Sequence, residues 1–132
     1  MMEVRGYISS RPFFGERVPQ SVQNIVIRNY CEKHEITFLL SKSEYCIKEC
    51  FSVLHNILND LDEFDGIVLY SLFQLPENIE LLRLVFDKVI ENKKFMLFVL
   101  EDMSLSCQED KYYLENLFKI KTNLSKCPKN IY

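Results

Sequence analysis

The chain has 132 residues, 48% of them hydrophobic and 27% charged, with only 3 glycines and 4 prolines. That is enough for one domain with a real core, poor in loop formers and so expected to consist mainly of regular elements. The net charge of −3 argues against sequence-independent binding of nucleic acid or of an acidic membrane surface. No apolar run approaches the ~20 residues needed to cross a bilayer. The opening "MMEVRGYISS" lacks the basic-then-apolar pattern of a secretion signal. Five scattered cysteines (Cys31, Cys46, Cys50, Cys107 and Cys127) fit a reducing cytosol better than a disulfide framework. A cytoplasmic location is expected.

In chain order, "VRGYIS" (Val4 to Ser9) predicts a first strand. A helix follows within "VPQSVQNIVIRNYCEKH", where Val22, Ile25, Val26 and Tyr30 recur at helical spacing and are expected to face a sheet. "ITFLLS" (Ile36 to Ser41) predicts a second strand. Phe51, Leu54, Ile57, Leu58 and Leu61 then form the stripe of a second helix in "KECFSVLHNILNDLDEF". "DGIVLYS" (Asp65 to Ser71) and "KFMLFVLE" (Lys94 to Glu101) are almost continuously apolar, as strands buried on both faces are. Between them, Leu81, Leu82, Val85, Phe86 and Val89 mark a third helix. A fourth covers "QEDKYYLENLFKI", with Tyr113, Leu114, Leu117 and Phe118 on its apolar face. Residues 121–132 read as an irregular tail after an α/β domain over residues 1–120.

This alternation implies a three-layer α/β fold with a four-stranded, mainly parallel sheet in the order 2-1-3-4 and helices on both faces. Ligands of such sheets collect beyond the carboxyl ends of the strands. The longest segment expected there is "SSRPFFGERVPQ", residues 9 to 20. Arg11 and Arg17 flank the start of the first helix, where free N–H groups and the helix dipole attract anions, and a guanidinium fork suits phosphate or carboxylate. The alternative is that both are surface residues, one pairing Glu16. Gly6 and Gly15 fit neither a P-loop nor a dinucleotide-binding fingerprint.

Ser9 and Ser10 end the first strand and are candidate nucleophiles, although strand-end serines also cap loops and no partner base is assignable. Glu44 and Tyr45 leave the second strand, Tyr70 and Ser71 the third, and Glu101 and Asp102 the fourth. A carboxylate held there can serve as general acid or base, or stand as a solvated strand end. Gln20, Tyr45, Tyr70 and Ser71 join the candidate ligand-binding set. His34 reads as a helix cap. Cys46, Cys50 and His55 lack a fourth ligand, so no metal site is assigned. No cofactor is legible.

"GYISSRPFFGERVPQSVQNIVIRNYC", "FLLSKSEY" and "DGIVLYSLFQLP" resemble the sporadic carbohydrate cluster protein family, encoded among bacterial genes for surface polysaccharide and unusual-sugar synthesis. That resemblance implies a pathway context and no catalytic residues. A more distant one, to the catalytic domain of serine recombinases, rests on Gly6-Tyr7, on Gln20 and Gln23 opening a helix that closes in Tyr30-Cys31, on Glu44, and on "IVLYSLFQLPEN" and "NKKFMLFVLEDMSL". It implies a resolvase-like, flavodoxin-like fold. The recombinase Tyr-x-Arg-x-Ser pattern is absent: Tyr7 is followed by Ile8, Ser9, Ser10 and Arg11. The later arginine cluster that holds the scissile phosphate is replaced by Phe73, Gln74, Leu75, Pro76 and Glu77. Without it, attack on a phosphodiester lacks charge stabilisation.

The expected function is binding or transformation of a small anionic sugar or sugar nucleotide in surface-glycan synthesis. The alternatives are a non-catalytic partner of a pathway enzyme and a degenerate recombinase-like DNA-binding protein. Nucleic acid and membrane are not expected partners. A homo-oligomer is expected, with Phe13, Phe14, Tyr112, Tyr113 and Phe118 as candidate interface aromatics.

Overall fold

The computed structural model describes residues 2–9, 18–44 and 51–126, with backbone alone over 121–126. The elements are β1 (Glu3–Ser9), α1 (Gln20–Lys33), β2 (Thr37–Glu44), α2 (Ser52–Asn59), β3 (Gly66–Leu69), α3 (Ile79–Glu91), β4 (Phe95–Phe98), β5 (Met103–Leu105) and α4 (Gln108–Lys126). Short 3-10 turns lie at Leu61–Glu63 and Leu72–Gln74.

The sheet is mixed, in the order β2-β1-β3-β4-β5. The first four strands are parallel, and β5 runs antiparallel to β4. The expected order 2-1-3-4 is thus present, but the sheet has five strands and not four. The apolar run Lys94 to Glu101 divides: β4 stops at Phe98, and a turn ending in Asp102, with φ of 53°, reverses the chain. Asp102 donates its N–H to the Val99 carbonyl, and Asp is among the residues that tolerate a left-handed conformation. β5 is three residues long, too short to carry a period, yet its Leu105 is fully buried. α4 also runs to Lys126, beyond the expected end of regular structure at residue 120.

Alternation along β1 sends Tyr7 to one face of the sheet and Val4 and Ile8 to the other. On the Tyr7 face, most of the expected stripes of α2 and α3 pack inward: Leu54, Ile57, Leu58, Leu82, Val85, Phe86 and Val89 are buried, but Leu81, read with them, is 38% exposed, and Tyr113, read on the apolar face of α4, is 61% exposed. Leu114 and Phe118 of α4 close the same cluster. Phe118 is therefore a core residue, its ring 5.5 Å from that of Phe73, and not an interface aromatic; Tyr112 and Tyr113 are exposed.

On the other face α1 stands against β1 and β2, and its reading needs correction. The buried line is Gln23, Ile27 and Cys31, at successive i, i+4 positions. Val22 and Ile25, read as core, are 42% and 60% exposed. Apolar character alone selected the wrong side of this helix, because the inward residue of its first turn is an amide.

Candidate functional site

Gln23 has no accessible surface. Its side chain reaches the carboxyl end of β1, where its Nε2 donates to the Ser9 carbonyl at 2.7 Å and to the Val18 carbonyl at 2.8 Å. Its Oε1 accepts from the Ser9 N–H at 3.2 Å and from Gln74 Nε2 at 2.8 Å. An amide has two N–H bonds and two carbonyl lone pairs to satisfy; all four are used. Gln23 thus fastens the chain on both sides of residues 10–17, at the start of α1.

Gln74 carries the network to β3. The segment Ser71 to Gln74 forms a capping box: the Ser71 Oγ accepts from the Phe73 N–H, and Gln74 Oε1 accepts from the Ser71 N–H. Ser71 Oγ in turn donates to Glu101 Oε2 at 2.8 Å, while Glu101 Oε1 accepts from the Leu72 N–H at 2.8 Å. Ser9, Gln23, Gln74, Ser71 and Glu101 therefore form one chain of hydrogen bonds across the ends of β1, β3 and β4. Leaving any of these buried groups unpaired costs about 1–3 kcal/mol.

Glu44 is the register partner of Ser9 at the ends of β2 and β1. Its carboxylate, 2% exposed, accepts from the Tyr7 hydroxyl at 2.9 Å, the Val53 N–H at 3.1 Å, the Leu54 N–H at 3.2 Å and the Ser52 hydroxyl at 3.4 Å. The two N–H groups belong to the first turn of α2, otherwise without intrahelical partners, and the helix dipole favours a negative charge there. Glu44 is held as a cap on α2 and as an anchor for Tyr7.

The structure therefore brings Ser9, Glu44 and Ser71 to one end of the sheet, each nearly or fully buried. Gln20 opens α1 half-buried. Tyr70 is half-buried on the α1 face, against the cluster of Val4, Ile8 and Ile27. Ser10, Arg11, Arg17 and Tyr45 lie outside the described residues, as do Phe13 and Phe14. His34 ends α1, its ring centroid 4.2 Å from that of Tyr30. Burial raises the Tyr30 hydroxyl above its ordinary pKa, helped by the charges of Asp102 and Cys31.

Gln23 and Gln74 of the network, and Tyr7 bonded to Glu44, were not among the candidates from the residues' chemistry. Gln23 had a legible signal: it shares the i, i+4 line of Ile27 and Cys31. Gln74 had one too, standing three residues after Ser71 in the capping-box pattern.

No family model matches the chain, and no curated protein matches it. Among the described residues, no helix is long and apolar enough to cross a membrane. Solved structures do match. The N-terminal catalytic domain of TP901-1 integrase is similar with a TM-score of 0.64 and 18% identity, over 92% of this chain and 96% of that one. A resolvase family site-specific recombinase from Streptococcus pneumoniae is similar with a TM-score of 0.63 and 9% identity, over 92% of this chain and 89% of that one. At these identities the likeness is one of fold: the chain has the α/β architecture of resolvase-type catalytic domains.

Proposed function

We propose that this protein binds a small anionic sugar or sugar nucleotide at the carboxyl ends of β1 and β3, within surface-polysaccharide or unusual-sugar synthesis. The observation that carries this reading is the saturated Gln23 amide. It ties Ser9 and Val18 together beside the first turn of α1, so the segment bearing Ser10, Arg11 and Arg17 leaves from and returns to a fixed base at the anion-attracting end of a helix. Holding a recognition segment at both ends lowers the entropy that ligand binding must overcome. The pathway context comes from the resemblance to the sporadic carbohydrate cluster family.

Binding is favoured over acid–base catalysis because both strand-end carboxylates are committed as caps. Glu44 accepts from two N–H groups of α2, and Glu101 accepts from Leu72 and Ser71. A non-catalytic subunit of a pathway enzyme fits the same observation.

The fold likeness to two recombinases favours a second reading, action on DNA. Against it, the stretch Phe73 to Glu77 carries no arginine where the recombinase resemblance expects a cluster, and Gln74 of that stretch is bonded to Gln23. Calorimetric titration with nucleoside-diphosphate sugars and with supercoiled plasmid separates the two. Nucleotide-sugar binding weakened about ten- to a hundredfold by Arg11→Ala, the worth of a charge-assisted hydrogen bond, is expected. Plasmid cleavage abolished by Ser9→Ala or Ser10→Ala, with no sugar-nucleotide binding, overturns the proposal.

A further inference from the structure

Leu40 of β2 is 78% exposed, the most exposed of the large apolar side chains among the described residues. Its presentation is built into the sheet. Arg5 pairs with Leu39 and Tyr7 with Lys42, so the single residue Gly6 faces two, Leu40 and Ser41. This is a β-bulge, which bends a strand and re-aims its side chains. Ser41 occupies the space that a Cβ at position 6 would need, and its hydroxyl donates to Asn24 Oδ1 at 2.6 Å. Arg5 Nη1 donates to the Leu40 carbonyl at 2.7 Å. Glycine, serine and arginine together hold the leucine in water.

Beside Leu40 opens a cleft of about 310 Å³, lined by Arg28, Cys31, Glu32, Ile36, Phe38 and Leu40 itself. The Arg28 guanidinium lies over the Phe38 ring, 5.9 Å from its centroid. Ile25 and Val22 of α1 are also exposed, at 60% and 42%. β2 is also an outermost strand, and among the described residues no strand pairs with its outer edge. Natural sheets usually blunt such an edge; an exposed leucine on one is the reverse.

We propose that this α1/β2 edge docks a second copy of the same chain, with the two β2 strands antiparallel about a two-fold axis. A two-fold interface demands that one patch complement itself, residue i meeting j and j meeting i. This patch holds both halves of each contact: a protruding Leu40 and a cleft with Ile36 and Phe38 in its wall to receive it, a base at Arg28 and an acid at Glu32 one turn on. Antiparallel pairing of β2 satisfies the open backbone edge and desolvates Leu40. It sets Arg28 of one copy against Glu32 of the other at the rim. The exposed Tyr112 and Tyr113 belong to α4, on the opposite layer of the sheet.

Sedimentation velocity on the full chain tests this. The wild-type protein is expected to be a dimer, and Leu40→Asp a monomer that keeps the wild-type circular-dichroism spectrum. Arg28→Glu and Glu32→Arg are each expected to weaken the dimer by about tenfold, and the double reversal to restore it, an outcome that loss of packing alone does not produce. A wild-type monomer at all concentrations, a dimer that survives Leu40→Asp, or a dimer broken instead by Tyr112→Ser overturns the proposal.

Discussion

Under α2, α3 and α4 the sheet is covered by an apolar cluster in which Leu54, Leu82, Phe86 and Phe98 are fully buried. Under α1 the buried apolar cluster among the described residues is the smaller set Val4, Ile8, Ile27, Cys31 and Val68, and the inward residue of the helix's first turn is a glutamine. The first face is held by area removed from water, which tolerates small changes of shape. The second is held at one end by a hydrogen-bond network whose members each depend on the others. Helices that serve stability show an apolar stripe. A helix that also positions a loop gives part of its inward face to polar atoms.

Three measurements sharpen or break that contrast. Phe86→Ala empties a fully buried site between α3 and the sheet and is expected to cost about 3–5 kcal/mol in urea unfolding. Gln23→Ala removes the bonds of Gln23 to the Ser9 N–H, to two carbonyls and to the Gln74 amide and is expected to cost at least about 1–3 kcal/mol, the figure for a single buried group. Gln23→Glu should not rescue it, because a carboxylate cannot donate to the Ser9 and Val18 carbonyls. Were Gln23→Leu as stable as wild type, the two faces would be held alike.

The smallest effect is one of pH. Burial pushes the Cys31 thiol from its ordinary 9.0 up to about 11. The folded chain then holds a proton that the unfolded chain releases, so stability contributed by the neutral thiol is complete below about 9 and falls as pH rises towards 11. The decline in urea midpoint over that window is expected to be shallower in Cys31→Val. An identical decline assigns it to other groups.

The sequence made the α2 and α3 faces legible because their buried residues are apolar and evenly spaced. It misled on α1 because Val22 and Ile25 are as apolar as Ile27 yet lie on the outer side, and only the buried amide of Gln23 tells the sides apart. β5 escaped because three residues cannot display a period of two. At the candidate site, Ser9, Glu44 and Ser71 were readable as strand-end residues. Their restraint was not, since it depends on which backbone donors a carboxylate finds after folding: Val53 and Leu54 for Glu44, Leu72 for Glu101.

The place of β1 has a consequence for synthesis. It is translated before the other strands of its sheet, yet it lies inside that sheet, with β2 on one side and β3 on the other, and Val4 pairs with Gly66. While the ribosome adds the intervening residues, at about 5–20 per second, the nascent chain carries an apolar strand with at least one open edge for several seconds. Non-local parallel pairing of this kind is slow to form and exposed to aggregation while it waits. Codon choice between β1 and β3 therefore sets how long that edge stays open.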